Sequence, residues 1–182
     1  MRYPDGHKER VRERIVHEAS RIIRAEGLDA LSVGGVMRCV GLTHGGFYAH
    51  FANKDELIAE AIRAAGQQTQ ESLFEAHEDL GSVLERYLCA THAAHPEEGC
   101  VIAALGTQAA GRPQPIQSAF DYTTRGLIDL VHAKLEDTSD SGDEVPSREA
   151  LATTARMVGG VILSRLVEDP GLAQRILCAA RS

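Results

Sequence analysis

The chain has 182 residues, 43% hydrophobic and 25% charged, which is enough for one large domain or two small ones around a sizeable core. No membrane span is expected, because the apolar run Gly99 to Gly111 is broken by Thr107 and Gln108 and is well short of the ~20 residues required; the charged opening MRYPDGHKERVRERIV has no apolar stretch, so no secretory leader is expected and the cytoplasm is the expected location. The formal net charge of −7 is unevenly placed: Met1 to Lys54 carries 9 Lys and Arg against 6 Asp and Glu, the remainder 10 against 20, so the N-terminal part is locally positive and, with screening over roughly 8 Å, can still meet phosphates.

From the N-terminus, Val11, Ile15, Ala19, Ile22 and Ile23 recur at three- and four-residue steps with Arg10, Arg12, Arg14, Arg21 and Arg24 off the stripe. This spacing predicts an amphipathic helix from about Lys8 to Glu26, stopped by Gly27. Ser32 offers an N-cap for a short helix through Met37 to about Val40, and Gly41 a left-handed stop. Thr43 offers a cap for a second short helix through Phe47 and Tyr48 to about His50; two short helices on a glycine turn are a helix-turn-helix signal. Asn53 caps the next, with Asp55 and Glu56 where the helix dipole favours acids, and Leu57, Ile58, Ala61, Ala65, Leu73 and Phe74 continue it.

Strand signals are absent beyond this point. Leu80, Val83, Leu84, Tyr87 and Leu88 mark a helix ended by His95-Pro96; Gly99 to Gly111 is a further helical stretch before Pro113 and Pro115. Phe120, Leu127, Ile128, Val131 and Leu135 mark another, and Asp137 to Pro146 reads as an acidic, turn-rich loop. Ser147 opens a helix through Ala150 to Glu168 with Leu151, Ala155, Val158, Ile162 and Leu166 on one face and Met157, Val161 and Leu163 on a second. A helix apolar on two sides needs two burial partners, here its own core and a second subunit, and the interface is expected on the last two helices, at Val161 and Ile176. Pro170 begins a last short helix with Leu172, Ile176 and Leu177.

The stretch with chemical content is Ser32 to Leu57, SVGGVMRCVGLTHGGFYAHFANKDEL. A glycine turn permits positive φ, the Thr43 hydroxyl can reach a phosphate, and Phe47 points into a small core while Tyr48 points outward. Without their surroundings Phe47 and Tyr48 would read as core aromatics and Lys54 as a solvated charge. The surroundings closely resemble the DNA-binding segment of the tetracycline-repressor (TetR) family, on Gly41, Leu42, Thr43, Gly45, Gly46, Phe47, Tyr48, His50, Phe51, Lys54, Asp55 and Leu57. The departures are Met37, where the pattern commonly has Ala, and Gly34 and Gly35, which weaken the first short helix by roughly 1 kcal/mol each relative to alanine.

The resemblance implies an all-α chain with an N-terminal three-helix helix-turn-helix head (residues 1–52) followed by a C-terminal helical ligand-binding and dimerisation domain (residues 53–182). It implies a DNA-binding set of Ser32, Thr43, His44, Gly45, Tyr48 and Lys54, with Thr43, Tyr48 and Lys54 on phosphates and His44 and Gly45 near base edges. His44 is the candidate for direct readout, because the segment Thr-His-Gly-Gly offers few other reaching side chains. Tyr87, Leu88, Cys100, Ile102, Leu105, Phe120 and Leu127 are candidates for a ligand pocket or the core, which residue type does not separate.

The remaining chemistry is sparse. Cys39, Cys89, Cys100 and Cys178 stand apart with no C-x-x-C pair, against a zinc ribbon or disulfide scaffold. His92 and Cys89 share metal-ligand spacing, but no second pair completes a tetrahedron, so neither metal nor cofactor is expected. Cys100 would open a helix, where a thiol is acidified, opposed by Glu97 and Glu98. No G-x-S-x-G elbow, Walker loop or H-E-x-x-H is present, so no enzyme is expected. The expected function is therefore a homodimeric TetR-type regulator of double-stranded operator DNA, a repressor released by a small-molecule effector. The alternatives are a helical ligand carrier or enzyme with an incidental helix-turn-helix, and a DNA-binding activator without ligand control.

Overall fold

The apolar stripe at the N-terminus produces α1 (His7–Glu26), whose Ile15, Ala19 and Ile23 are fully enclosed. Gly27, at φ +95°, ends it by returning its N–H to the Ile23 carbonyl at 2.9 Å. The computed structural model describes residues 6–73, 79–136 and 145–182, and among these there are nine α-helices, three short 3₁₀ segments and no strand. Phe74 and most of the acidic loop read between Asp137 and Pro146 lie outside the described residues.

Ser32 accepts from the Gly35 N–H at 3.1 Å to start α2 (Val33–Cys39), and Gly41 at φ +75° turns the chain. The next element differs from expectation: His44–Ala49 is a 3₁₀ segment, and the Thr43 hydroxyl makes no capping bond. Two consecutive glycines weaken an α-helix, and a stretch under two turns long is where the tighter 3₁₀ form is found. Asn53 then accepts from Glu56 N–H at 2.9 Å while the Glu56 carboxylate accepts from Ala52 N–H at 2.6 Å, a reciprocal cap that starts α3 (Lys54–Leu73).

The single helix expected from Leu80 to His95 is two, α4 (Leu80–Tyr87) and α5 (Ala90–Ala94). At the break the Leu88 carbonyl accepts from the Arg181 guanidinium at 2.6 Å, and Cys89 is extended with its sulfur accepting from His92 N–H at 3.4 Å. The apolar stretch from Gly99 is helical only as α6 (Val101–Leu105) and a 3₁₀ turn, Gly106–Gln108. Then come α7 (Gln114–Glu136), with Pro115 in its first turn where no N–H is missed, α8 (Arg148–Leu166), capped by Ser147, and α9 (Pro170–Ala180), capped by Asp169.

α3 is sandwiched between α1 and α7. A Cβ on Gly66 would fall 2.4 Å from Thr123 Cγ2, so the close approach of α3 to α7 requires glycine there. The head's core, from Ile15 through Phe47, Phe51 and Leu57, continues along α3 to Leu105 and Phe120. A second cluster joins Val83, Tyr87, Leu88, Cys100, Leu127, Val131, Met157, Val161 and Leu177.

The two faces of α8 need correcting. Met157 and Val161 are enclosed in the chain's own core, on a stripe with Ala150, Thr153, Thr154 and Ser164, whereas Leu151, Leu163 and Leu166 are exposed. The buried stripe is built of small and hydroxylated residues, so counting large aliphatics alone assigns the inner face to the wrong side. The outer face carries the exposed leucines, with Leu172 of α9 also exposed.

Candidate nucleic-acid interface

The 3₁₀ segment divides its side chains between inside and outside. Phe47 is 1% exposed and stacks on Phe51 with centroids 5.5 Å apart, while Tyr48 is 66% exposed and meets Phe47 edge-on at 5.3 Å. His44 lies beside Tyr48, edge-on at 6.4 Å. Thr43 and Gly45 are exposed on the same segment, and Ser32 is exposed at the start of α2. Met37 is fully buried with its Cε 3.6 Å from where a Gly46 Cβ would stand. The larger methionine thus fills the space beneath a glycine of the reading segment, which accounts for this departure from the family pattern.

Lys54 is half-buried at the first position of α3. Nearby, the Arg112 guanidinium holds Asp29 with both nitrogens at 2.6 and 2.8 Å and keeps that carboxyl below its usual range, to which Lys54 adds. Two of the α1 arginines that lie off the apolar stripe serve the fold. Arg12 pairs with Glu60, lies 3.6 Å from Glu56 and covers the Phe51 ring at 4.6 Å; Arg14 donates to the Val40 carbonyl at 3.0 Å. His50 is partly buried, which together with Lys8 and Arg12 nearby pushes its pKa below the ordinary value.

The sequence-derived ligand candidates are not brought to one cavity. Tyr87, Leu88, Cys100 and Leu127 sit in the second core, Leu105 and Phe120 in the first, and Ile102 packs against both. Cys100, Ile102 and Leu127 border an internal gap with Gly66, Thr69 and Thr123, about 10 Å³ in volume, no larger than one water. Ile102 and Phe120 also line an open groove of about 360 Å³ with Thr124, Val158 and Ile162.

His92, read as a possible metal ligand, is a buried core histidine. Its ring meets Tyr87 edge-on at 4.6 Å, its Nδ1–H donates to the Tyr87 carbonyl, and its Nε2 accepts from Cys100 N–H at 2.9 Å. Both ring nitrogens are used, and among the described residues no three potential ligands gather around a metal position. Cys100 does stand at the N-cap of α6, but that helix has five residues and the thiol is enclosed.

Burial, reinforced by Arg165, lowers the His92 pKa below 6.5, so the folded protein binds fewer protons at this site than the unfolded chain. The stability contributed by neutral His92 is then complete above about pH 6.5 and is lost as pH falls below it. Urea denaturation at about pH 8 and about pH 5.5 is expected to show a weaker fold at the lower pH, with a smaller difference in His92→Gln. An equal pH response in both proteins would assign the acid sensitivity elsewhere.

Sequence reading missed the arginines that tie the segment between α4 and α6. Arg24 on α1 is buried and donates to the Gly99 carbonyl and the Gln68 amide oxygen, each at 2.9 Å. Arg165 on α8 donates to the carbonyls of His92, Ala93 and Ala103, and Arg181 to Leu88.

Residues 15–61 match the model of a family described as bacterial regulatory proteins, tetR family. No curated protein matches the chain. Among solved structures, the fold is shared with the reduced form of E. coli NemR, at 17% identity over 94% of this chain and 95% of that one, with a TM-score of 0.73. It is shared with a TetR-family transcriptional regulator from Agrobacterium tumefaciens, at 18% identity, 96% and 97% coverage and a TM-score of 0.74. It is also shared with AibR, solved in complex with isovaleryl coenzyme A and operator DNA, at 15% identity, 94% and 96% coverage and a TM-score of 0.63. Identities this low speak for the fold, and the family model speaks for the head. Residues 15–61 thus match the tetR-family DNA-binding head, and the chain as a whole shares the all-helical fold of solved TetR-family transcriptional regulators.

Proposed function

We propose that the protein acts as a homodimeric repressor that grips two half-sites of double-stranded operator DNA and lets go when a small molecule enters its C-terminal part. The observation that carries this reading is the division of the 3₁₀ segment, with Phe47 and Phe51 holding it from beneath while His44 and Tyr48 stand side by side in solvent. Thr43, Tyr48 and Lys54 hold phosphates, the last at a helix N-terminus where backbone N–H groups add to its charge; His44 and Gly45 approach base edges, and Ser32 fixes the start of α2. Residues 1–52 form the reading head and residues 53–182 the regulatory and dimerising part, and the protein works in the cytoplasm, where its DNA is. No helix among the described residues is long and apolar enough to cross a membrane.

The effector site is the core around Cys100, Ile102 and Leu127, which has to open to admit a ligand. Isovaleryl coenzyme A bound to AibR supports effector control in this fold. Transmission to the head runs through the segment from Leu88 to Cys100, which guanidinium–carbonyl bonds tie to α1, α8 and the end of α9. A ligand that displaces Cys100 pulls through Gly99 on Arg24 and hence on α1. A coupling of about 1 to 3 kcal/mol corresponds to roughly 5- to 150-fold in operator affinity.

Gel shifts against DNA flanking the protein's own gene, with and without metabolites, test the reading. Lys54→Ala is expected to weaken binding across all operator variants and to make the salt slope shallower by about 1. His44→Ala is expected to flatten discrimination between variants instead. Equal losses on every sequence for His44→Ala would identify a backbone contact, and unchanged affinity for Lys54→Ala would remove that lysine from the interface.

A further inference from the structure

We propose that Arg38 is a specificity-determining residue of the DNA-reading surface, its guanidinium laid back over Gly34 beside His44 to hydrogen-bond the O6 and N7 edge of a guanine in the major groove. The inference rests on the DNA-reading function proposed above and adds a residue to it.

Three observations carry it. The reading segment is poor in reaching side chains: Gly45 and Gly46 have none, Phe47 is buried and Ala49 is short, which leaves Thr43, His44 and Tyr48. The neighbouring arginines Arg12, Arg14 and Arg24 are occupied by Glu60, the Val40 carbonyl and the Gly99 carbonyl, whereas the exposed Arg38 has no side-chain partner among the described residues. Finally, a Cβ on Gly34 would stand 3.6 Å from Arg38 Nη1 and 3.5 Å from His44 Nδ1, so both groups border one of the two glycines of α2.

Helical side chains lean toward the N-terminus and cover the residue four positions back, so residue 38 naturally lies over residue 34. A glycine inside a short helix is otherwise a poor choice, and here it leaves open the space that guanidinium and imidazole both border. Arginine's planar fork matches guanine in a bidentate way, the commonest specific contact in the major groove. Placement beside His44, rather than on α1, argues for a base edge over a phosphate.

The test is to select bound sites from a pool of random duplexes with the wild-type protein, then measure affinities of wild type, Arg38→Ala, Arg38→Lys and Tyr48→Ala for that site and its single-base variants. One G·C position whose replacement costs the wild type roughly 5- to 150-fold is expected to become indifferent in Arg38→Ala, with helicity and melting unchanged because the residue is exposed. A uniform loss across all duplexes with a salt slope reduced by about 1 would make Arg38 a phosphate contact and overturn the proposal. Unchanged selectivity in Arg38→Ala overturns it too, while Tyr48→Ala, if weakened, leaves the DNA-reading function standing. A wild type that retains no duplex overturns that function and this inference together.

Discussion

Val161→Glu and Leu166→Glu, five residues apart on α8, are expected to fail in different ways. Val161 is fully enclosed with Met157, Leu177 and Tyr87 in the second core, and the guanidinium four residues on, Arg165, is already engaged by the carbonyls of His92, Ala93 and Ala103. An unpaired buried charge costs about 3 to 5 kcal/mol, a large part of the stability of an ordinary domain, so this variant should unfold or melt far below the wild type. Leu166 is 73% exposed in the single chain, and glutamate there costs the protomer almost nothing. In the proposed homodimer the same outer side of α8, with Leu163 and Leu151, is the covered face, so Leu166→Glu should keep its helicity and lose its partner. Circular dichroism and sedimentation on the two variants separate the cases. A folded Leu166→Glu protein that remains a dimer would falsify this placement of the interface.

The difference between these two positions also shows what local reading captures. The stripe of α1, the Ser32 and Asn53 caps, the turn at Gly41 and the inward Phe47 with outward Tyr48 follow from rules acting within a few residues, and all are visible in the sequence. The break between α4 and α5 is not, because it coincides with a carbonyl captured by Arg181, 93 residues away. Arg24 and Arg165 likewise look like surface charges until the fold brings Gly99 and Ala93 to them, 75 and 72 residues distant. The inner face of α8 is hidden from local reading because Thr153, Thr154 and Ser164 are buried with their hydroxyls satisfied inside the helix region, at Ala150 and Val161 for the last two.

The candidate site was legible to different depths at its two ends. The reading head is written in residue types that few other structures require together, glycines and polar caps around two aromatics, so its positions stand out in the sequence. The effector site is written in Leu, Ile, Phe and Tyr, which pack a core and line a pocket equally well. Arg38 does not stand out in the sequence because its placement depends on what Gly34 lacks, and its approach with His44 to that glycine exists only once α2 and the reading segment are folded against each other.

Phe47→Ala and Tyr48→Ala provide the sharpest test of the head, since adjacent residues are expected to act through separate quantities. Truncating Phe47 removes the ring stacked on Phe51 and leaves a cavity beneath the reading segment, at a cost of about 3 to 5 kcal/mol. For a chain of this size that corresponds to a fall in melting temperature of roughly 6 to 20 °C, and DNA binding should fail because the segment has lost its support. Truncating Tyr48 removes an exposed ring with one edge contact to Phe47, so melting should change little, by about 0.5 kcal/mol or less. Its loss should appear in operator affinity instead, spread over all sequences because a phosphate contact carries no base information. Thermal melts paired with gel shifts decide the matter: a Phe47→Ala protein with unchanged melting and abolished binding would make Phe47 a contact rather than a support, and the inward and outward roles assigned to the two rings would have to be exchanged.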